Sequence, residues 1–433
     1  MFPFVDVGNA ILHNIKLLLL NPIIYIVLLL VYWQYHRIAL NERKMHSVRI
    51  HSAVEQTLVS VGYGILGGLF ASALLLVLGV ILNPYDMIYV WAVALLLALI
   101  NIRYLCFSYA TGILGVISWL TVIWPAGGNL PVFEHLWEGI AKLNVPVIIA
   151  LVAVLHLTEA LLIWLHAAKK ASPAFISDKR GKIVGGFSMQ KIWFLPLFVI
   201  VAIDPVATGG VIDSMARSSG TITFPEWWPL LPISSIVGLL LMMLPIPAVL
   251  GYGEIAISRT PSQKSRQTAL YLAVYSVLLL ALALISSYSP WLLLLASLFS
   301  AIAHEAIITF GKRKEMLDVP LFGNPPRGIR ILHIIKDTTA DKLGLQAGEV
   351  IIKVNGMEIN NRSDLHIALS LQPVYVKMEV ENLDRQIKFV HTPLYQGEHH
   401  SLGMIVLPNE RPKYYQVITD HPLKMWWKKF RKS

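Results

Sequence analysis

The feature that most limits what this chain can become is a succession of long apolar runs separated by short polar segments. Nine such runs are read, at 23–38, 59–82, 86–101, 104–124, 146–167, 192–208, 229–250, 268–286 and 291–309. A helix needs about 20 apolar residues to cross a bilayer core, and several of the runs approach that length. Only 14% of residues are charged and mean hydropathy is +0.61, whereas soluble domains carry about 25% charged residues. A polytopic α-helical membrane domain of about nine spans is therefore expected over residues 1–311. Residues 1–20 mix polar and apolar groups, contain Lys16 and end at Asn21-Pro22, which reads as an interfacial helix. They lack a basic start and a small-residue cleavage site, so no cleavable signal is expected.

Orientation follows from the basic residues, which concentrate in cytoplasmic loops. One set of loops holds Arg37, Arg43, Lys44, Arg49, Arg103, Lys169, Lys170, Lys179, Arg180, Lys182, Lys191, Arg259, Lys264 and Arg266; the other holds Lys16, Lys142 and Arg217. Fourteen against three places the N-terminus outside and the C-terminus inside. The net charge of +10 fits loops facing anionic lipid. Nucleic-acid binding would need a clustered basic face on a recognisable module, and none is present. The tail over 411–433 interleaves Trp426, Trp427 and Phe430 with lysine and arginine, a pattern suited to the anionic inner leaflet. Two outer loops are long. Residues 125–145 space Phe133, Leu136, Trp137 and Ile140 as a surface helix would, and 209–228 end in Trp227-Trp228, which suits the interface.

After Lys312 the pattern changes. Apolar residues alternate over Gly328–Ile334 and again over 349–354, the period of half-buried strands. Asn355-Gly356 suits a turn with positive φ at both central positions. Ser363 to Leu369 reads as a capped helix, followed by strands at Val374–Val380, Gln386–Val390 and Leu402–Leu407. This order, with the run Ala340 to Gly356 (AxxLGLQAGEVIIKVNG), resembles a PDZ domain of the bacterial, circularly permuted kind. Thr338-Thr339-Ala340 stands where that family usually has Ser-Pro-Ala, and Glu349 where it has Asp. The resemblance implies a cytoplasmic α+β peptide-binding module over 312–410. A ligand strand would add to an exposed sheet edge. The candidate peptide-binding residues are Ser401, Leu402, Gly403, Met404 and Ile405 on the loop and edge strand, with Leu365 and Leu369 on the helix opposite. Pro326-Arg327-Gly328-Ile329 is the second choice of loop.

Each candidate for chemistry competes with plain packing. A site-2-type intramembrane metalloprotease needs two His at i and i+4 around a Glu; His304-Glu305 is followed by Ile308 at the second ligand position. Leu244–Gly251 is Pro-rich but lacks the Asp of that family, and it precedes the His-Glu pair. His156 and Glu159 share a helical face inside a span. They serve a transporter-like bundle or, more simply, tie helices together, with Glu159 protonated or reaching Arg103, Asn101 or a tyrosine. Asp204 and Asp213 sit at or beyond a span end. His391, His399 and His400 have no fixed geometry. The single cysteine, Cys106, excludes an intramolecular disulfide and any multi-cysteine metal set within the chain. No catalytic residue, cofactor or metal is expected. Gly64, Gly68 and Ser72 repeat every four residues, which permits close helix packing within the chain or in a homodimer. Pro196, Pro205, Pro245 and Pro247 are expected to kink helices.

The layout of the whole chain, with Leu19-Leu20-Asn21-Pro22-Ile23-Ile24-Tyr25 running into Arg37 and Glu42-Arg43-Lys44, resembles MinJ-type proteins, polytopic adaptors of Gram-positive rods. That resemblance implies a non-enzymatic scaffold at the septum or poles, bridging a DivIVA-like scaffold to a MinD-like ATPase in placing the division machinery.

Overall fold

The computed structural model describes residues 4–125, 134–178, 181–203, 225–231, 240–371, 374–394 and 402–417. The expectations for Lys179, Arg180, Asp204, Pro205, Asp213, Arg217, His399, His400, Ser401 and 418–433 lie outside the described residues. Seven of the nine apolar runs are helices: α2 (Pro22–His46), α3 (Ala53–Leu78), α4 (Pro84–Ile100), α5 (Phe107–Ile123), α7 (Val145–Leu162), α8 (Pro261–Ile285) and α9 (Pro290–Leu317). Five reach a length and apolarity that can cross a membrane, whereas α4 and α5 are shorter. The N-terminal helix α1 (Phe4–Leu20) and the short α6 (Glu134–Ala141) form where surface helices were expected. Local chemistry sets the helix starts. Pro22, Pro84 and Pro261 sit in first turns, where a missing N–H costs nothing. Asn21, Asn83 and Thr260 cap the free amides, Thr260 in a reciprocal box with Gln263. At the centre lies α7, buried at every residue from Val147 to His156, as a helix apolar all round must be.

The runs at 192–208 and 229–250 are extended rather than helical over 192–203 and 240–250, the described residues that form strands. Over the described residues they belong to one antiparallel hairpin, β3 (Ile183–Ile203) with β4 (Leu240–Ala256), in register from Phe187↔Ala256 to Ile203↔Leu240. Among the described residues, the nine runs give seven helices and one antiparallel strand pair, so the count of about nine helical spans is not confirmed. Pro196, Pro245 and Pro247 bend no helix; Pro196 lies opposite Pro247, and Phe198 opposite Pro245. These pairs share one parity of the ladder. Three prolines can then occupy pairs that exchange no N–H···O bonds, so no ladder bond is lost. In a helix interior each would cost about 3 kcal/mol.

The edge of β3 away from β4 is closed by α3. Ser60 Oγ donates to Ile192 O at 2.5 Å, and Ser72 Oγ accepts from Phe198 N–H at 2.8 Å. Between them α3 comes so close that a Cβ on Gly64 would lie 2.0 Å from Phe194 O, and one on Gly68 2.6 Å from Pro196 O. The Gly64/Gly68/Ser72 stripe thus serves packing within the chain, not a homodimer face. Farther along, β1 (Ile81–Leu82) pairs with β3 in parallel.

Near its start β3 leaves the helices behind. It pairs with β2 (Ser172–Ser177), and Gly185 N–H donates to Phe322 O at 2.8 Å. Beyond α9 the C-terminal module forms a sheet in the order β10-β5-β6-β8-β9. Its strands are β5 (Ile329–Ile334), β6 (Val350–Val354), β8 (Tyr375–Glu381), β9 (Ile387–Pro393) and β10 (Met404–Val406), with β7 (Met357–Glu358) against β6 and helices α10 (Thr339–Lys342) and α11 (Arg362–Leu371). Asn355 and Gly356 have φ 51° and 85° and join β6 to β7, the turn their sequence demands. Buried Glu349 accepts from Gln346 N–H at 2.9 Å and pairs with Lys388 at 2.6 Å. Asn361, rather than Ser363, caps α11: its Oδ1 accepts from Asp364 N–H, and Asp364 returns the bond. The module does not stand apart. Leu332, Ile405 and Leu407 join the core that includes Phe187 and Phe322, and β11 (Gln416–Val417) pairs with β2 in parallel.

Candidate functional site

The site grows from the short strand β10 at the free edge of the module's sheet. Ile335 N–H donates to Gly403 O and Leu407 N–H to Arg330 O, each at 2.8 Å. These bonds bracket the pairs Met404↔Ile334 and Val406↔Ile331, which makes both of the non-hydrogen-bonded kind. The N–H and C=O of Met404 and Val406 consequently face away from β5. They form the open edge on which a ligand strand can add.

The loop before the strand is fixed by its backbone. Leu402 and Gly403 have φ 50° and 81°, and a Cβ on Gly403 would fall 2.1 Å from Thr338 Cβ. Only glycine fits there. The carbonyls of Leu402 and Gly403 accept from Ala340 and Ile335, tying the loop to the start of α10. Across from β10 stands α11, whose Leu365 and Leu369 line the same groove as Met404, Ile405 and Val406, in a cavity of ≈ 450 Å³. That size is within the range of about 300–1,000 Å³ typical of ligand sites.

Of the residues expected to bind peptide, Leu365, Leu369, Met404 and Ile405 do line this cavity. Leu402 does not; its side chain is buried in the module's core with Ile329 and Ile331. Ile405 has a second task, since it packs toward the membrane domain with Phe322 and Leu332. Sequence reasoning missed the far wall. His46 and Val48, at the end of α2, and Phe175 on β2 close the groove from the membrane side, while Arg362 and His366 flank it on α11. His46 Nε2 bonds Pro173 O at 2.9 Å, and its ring stands edge-on to Phe175 at 4.9 Å. The signal for this wall was present in part, as Glu42 falls in the run that resembled MinJ-type chains. In the fold Glu42 accepts from His51 N–H, His51 Nδ1 and Ser172 Oγ at 3.1, 2.8 and 2.6 Å. It thereby locks the end of α2 to β2.

The other candidates sort differently. Glu305 is held by Arg103 at 2.7 Å, Tyr109 Oη at 2.6 Å and Thr309 Oγ1 at 2.7 Å. Arg103 is therefore engaged by Glu305 and not by Glu159. His391 packs against the Tyr375 ring. His304 does not meet a second His on its own helix. It meets His156 and Cys106, which are distant in sequence.

Residues 312–381 match the PDZ domain family. Along the whole chain, the cell division topological determinant MinJ of Bacillus subtilis (strain 168) is 27% identical over 410 residues, covering 93% of this chain and 96% of that protein. The probable cell division topological determinant MinJ of Lacticaseibacillus paracasei is 24% identical over 268 residues, covering 60% of this chain and 65% of its own length. Among solved structures, the PDZ domain of an SdrC-like protein from Listeria monocytogenes covers 19% of this chain and 90% of its own, at 14% identity and a TM-score of 0.17.

Proposed function

We propose, starting from a chain that is MinJ-like over nearly its whole length and carries a PDZ domain, that it is a non-enzymatic membrane scaffold. Its PDZ groove captures an extended segment of a cytosolic partner, and its role is to place the cell-division machinery. The observation that carries the reading is the edge formed by Met404 and Val406, opposite Leu365 and Leu369, at the face of the module nearest α2 and β2. A ligand strand bonded there would be read by main-chain groups for affinity and by the cavity for side-chain choice. By resemblance the partners are a DivIVA-like scaffold and a MinD-like ATPase, bridged at the septum and poles. A terminal carboxylate, where the ligand has one, would sit on backbone amides of the glycine-containing loop before β10.

The proposed orientation keeps the N-terminus outside and the PDZ domain cytoplasmic. Replacing two spans by a hairpin preserves it, because the hairpin enters and leaves on the side of Lys182 and Arg259. Five long helices, with or without the shorter pair α4 and α5, are an odd number of crossings and keep the two ends on opposite sides in this reading. The basic tail adds contact with anionic lipid.

The test is microscopy of a fluorescent fusion in a dividing Gram-positive rod, with a Leu365→Glu/Leu369→Glu pair as control. Accumulation at septa and poles that the pair abolishes, without loss from the membrane, supports the reading. A uniform membrane signal for the unaltered chain rejects it.

A further inference from the structure

Inside the helical domain three side chains with metal-ligating atoms converge from separate parts of the sequence. Cys106 precedes α5, His156 lies on α7 and His304 on α9. Cys106 Sγ is 3.5 Å from His156 Nε2 and 4.0 Å from His304 Nε2, and all three donor atoms lie within 4.8 Å of one another. Metal–sulfur and metal–nitrogen bonds of about 2.3 and 2.0–2.1 Å at tetrahedral angles put neighbouring ligands roughly 3.3–3.6 Å apart. One pair already has this spacing, and a small rotation of the thiol or of His304 supplies the rest.

The surroundings prepare the ligands. His156 Nδ1 is 2.8 Å from Val152 O, which can only accept. Nδ1 therefore carries the proton, and Nε2 turns its lone pair toward the thiol, the arrangement of a metal-bound imidazole with its outer hydrogen bond in place. Tyr275 packs against both imidazoles, with ring centroids 5.6 and 5.8 Å away, and its hydroxyl is anchored on Ser300 O at 2.9 Å. Tyr109 stands edge-on to His304 at 5.2 Å while its own hydroxyl is held by Glu305. Both histidines are buried, and His304 Nδ1 is a buried nitrogen without a hydrogen-bond partner. Glu159 lies three residues beyond His156 on α7.

We propose that Cys106, His156 and His304 bind one zinc-class divalent ion, which ties α5, α7 and α9 together in the membrane. One thiolate and two imidazoles favour zinc or cobalt over magnesium or calcium, which take oxygen ligands. Binding forms one metal–sulfur and two metal–nitrogen bonds, and the thiol proton leaves to solvent. Three protein ligands leave one position for water. The proposal is independent of the PDZ groove.

The experiment uses the full chain, purified in detergent under reducing conditions without a histidine tag, stripped by chelator and titrated with Co²⁺. The expected result is a thiolate-to-cobalt charge-transfer absorption in the near ultraviolet that saturates at one ion per chain and is displaced by Zn²⁺. It should vanish in Cys106→Ser, and His156→Gln and His304→Gln should each weaken cobalt binding at least about ten-fold. Absence of that absorption from the folded, unaltered chain at several-fold excess cobalt overturns the proposal and leaves a hydrogen-bonded trio. Unchanged affinity in a folded His304→Gln overturns the three-ligand set.

Discussion

Phe198 gives its amide hydrogen not to a neighbouring strand but to the hydroxyl of Ser72, 126 residues earlier, at 2.8 Å. The same hydroxyl donates to Gly68 O at 2.6 Å. A strand edge in an apolar surrounding must have its polar groups satisfied; here Ser60 and Ser72 each bond one of them, and Gly64 and Gly68 let the helix come close enough.

Ser72→Ala should leave a buried amide unpaired and cost about 1–3 kcal/mol. Gly64→Val should cost at least as much by forcing α3 off β3. Thermal unfolding in detergent, followed by circular dichroism, checks both. Midpoints equal to that of the unaltered chain would contradict the edge-closing role of α3.

The two faces of β10 make a paired prediction. Val406→Pro removes an amide hydrogen that points away from β5, where an edge tolerates proline, so the module should fold but lose partner binding. Ile405→Pro removes one that belongs to the β5 ladder, so folding itself should fail. A pull-down with each full-length variant, alongside a melting curve, separates the outcomes. Undiminished capture by a folded Val406→Pro chain would show that partners use another surface.

His333, on β5, is pushed down to about 4 from the ordinary 6.5 by burial and by the nearby His51 and His46, against the opposing pull of Glu42. Above pH 6.5 it is neutral whether or not the module is docked. As pH falls from 6.5 toward 4, only the solvated form takes up a proton, so the docked fold loses up to about 3 kcal/mol over that window. Below 4 the loss levels off. Hydrogen exchange of β2 and β5 amides at pH 7 and pH 5 should show faster opening in acid, and His333→Leu should remove much of the difference.

Glu42 accepts three hydrogen bonds that join α2, His51 and β2. Glu42→Ala should cost about 2–4 kcal/mol, since it leaves buried donors without partners. It should also loosen the wall of the groove at His46 and Val48. Limited proteolysis near residues 47–52 is expected to accelerate in the variant, while α9 stays protected.

The PDZ module was legible because its signals are local. Strand alternation, the Asn355-Gly356 turn and Gly348 at φ 101° each act within a few residues. Four of the seven expected groove residues line the cavity, because strand and helix are spaced by the fold that this local pattern specifies. Leu402 went astray because a left-handed backbone at 402 and 403 accompanies a side chain buried in the core, which no spacing reveals. The hairpin was misread for a different reason. Apolar runs in a membrane chain look alike by hydropathy, and Pro196, Pro245 and Pro247 suit an edge-closed strand pair as readily as a kinked helix.

By itself the sequence determined that the chain enters a membrane, where helices start, and that its C-terminal part is a PDZ domain. Hydropathy, caps and turns all act between near neighbours. Only the tertiary structure decided that α3 closes β3, that α2 and β2 wall the groove, and that Cys106 meets His156 and His304. Each of these joins residues from 50 to more than 350 positions apart, and such contacts depend on how finished helices and strands pack.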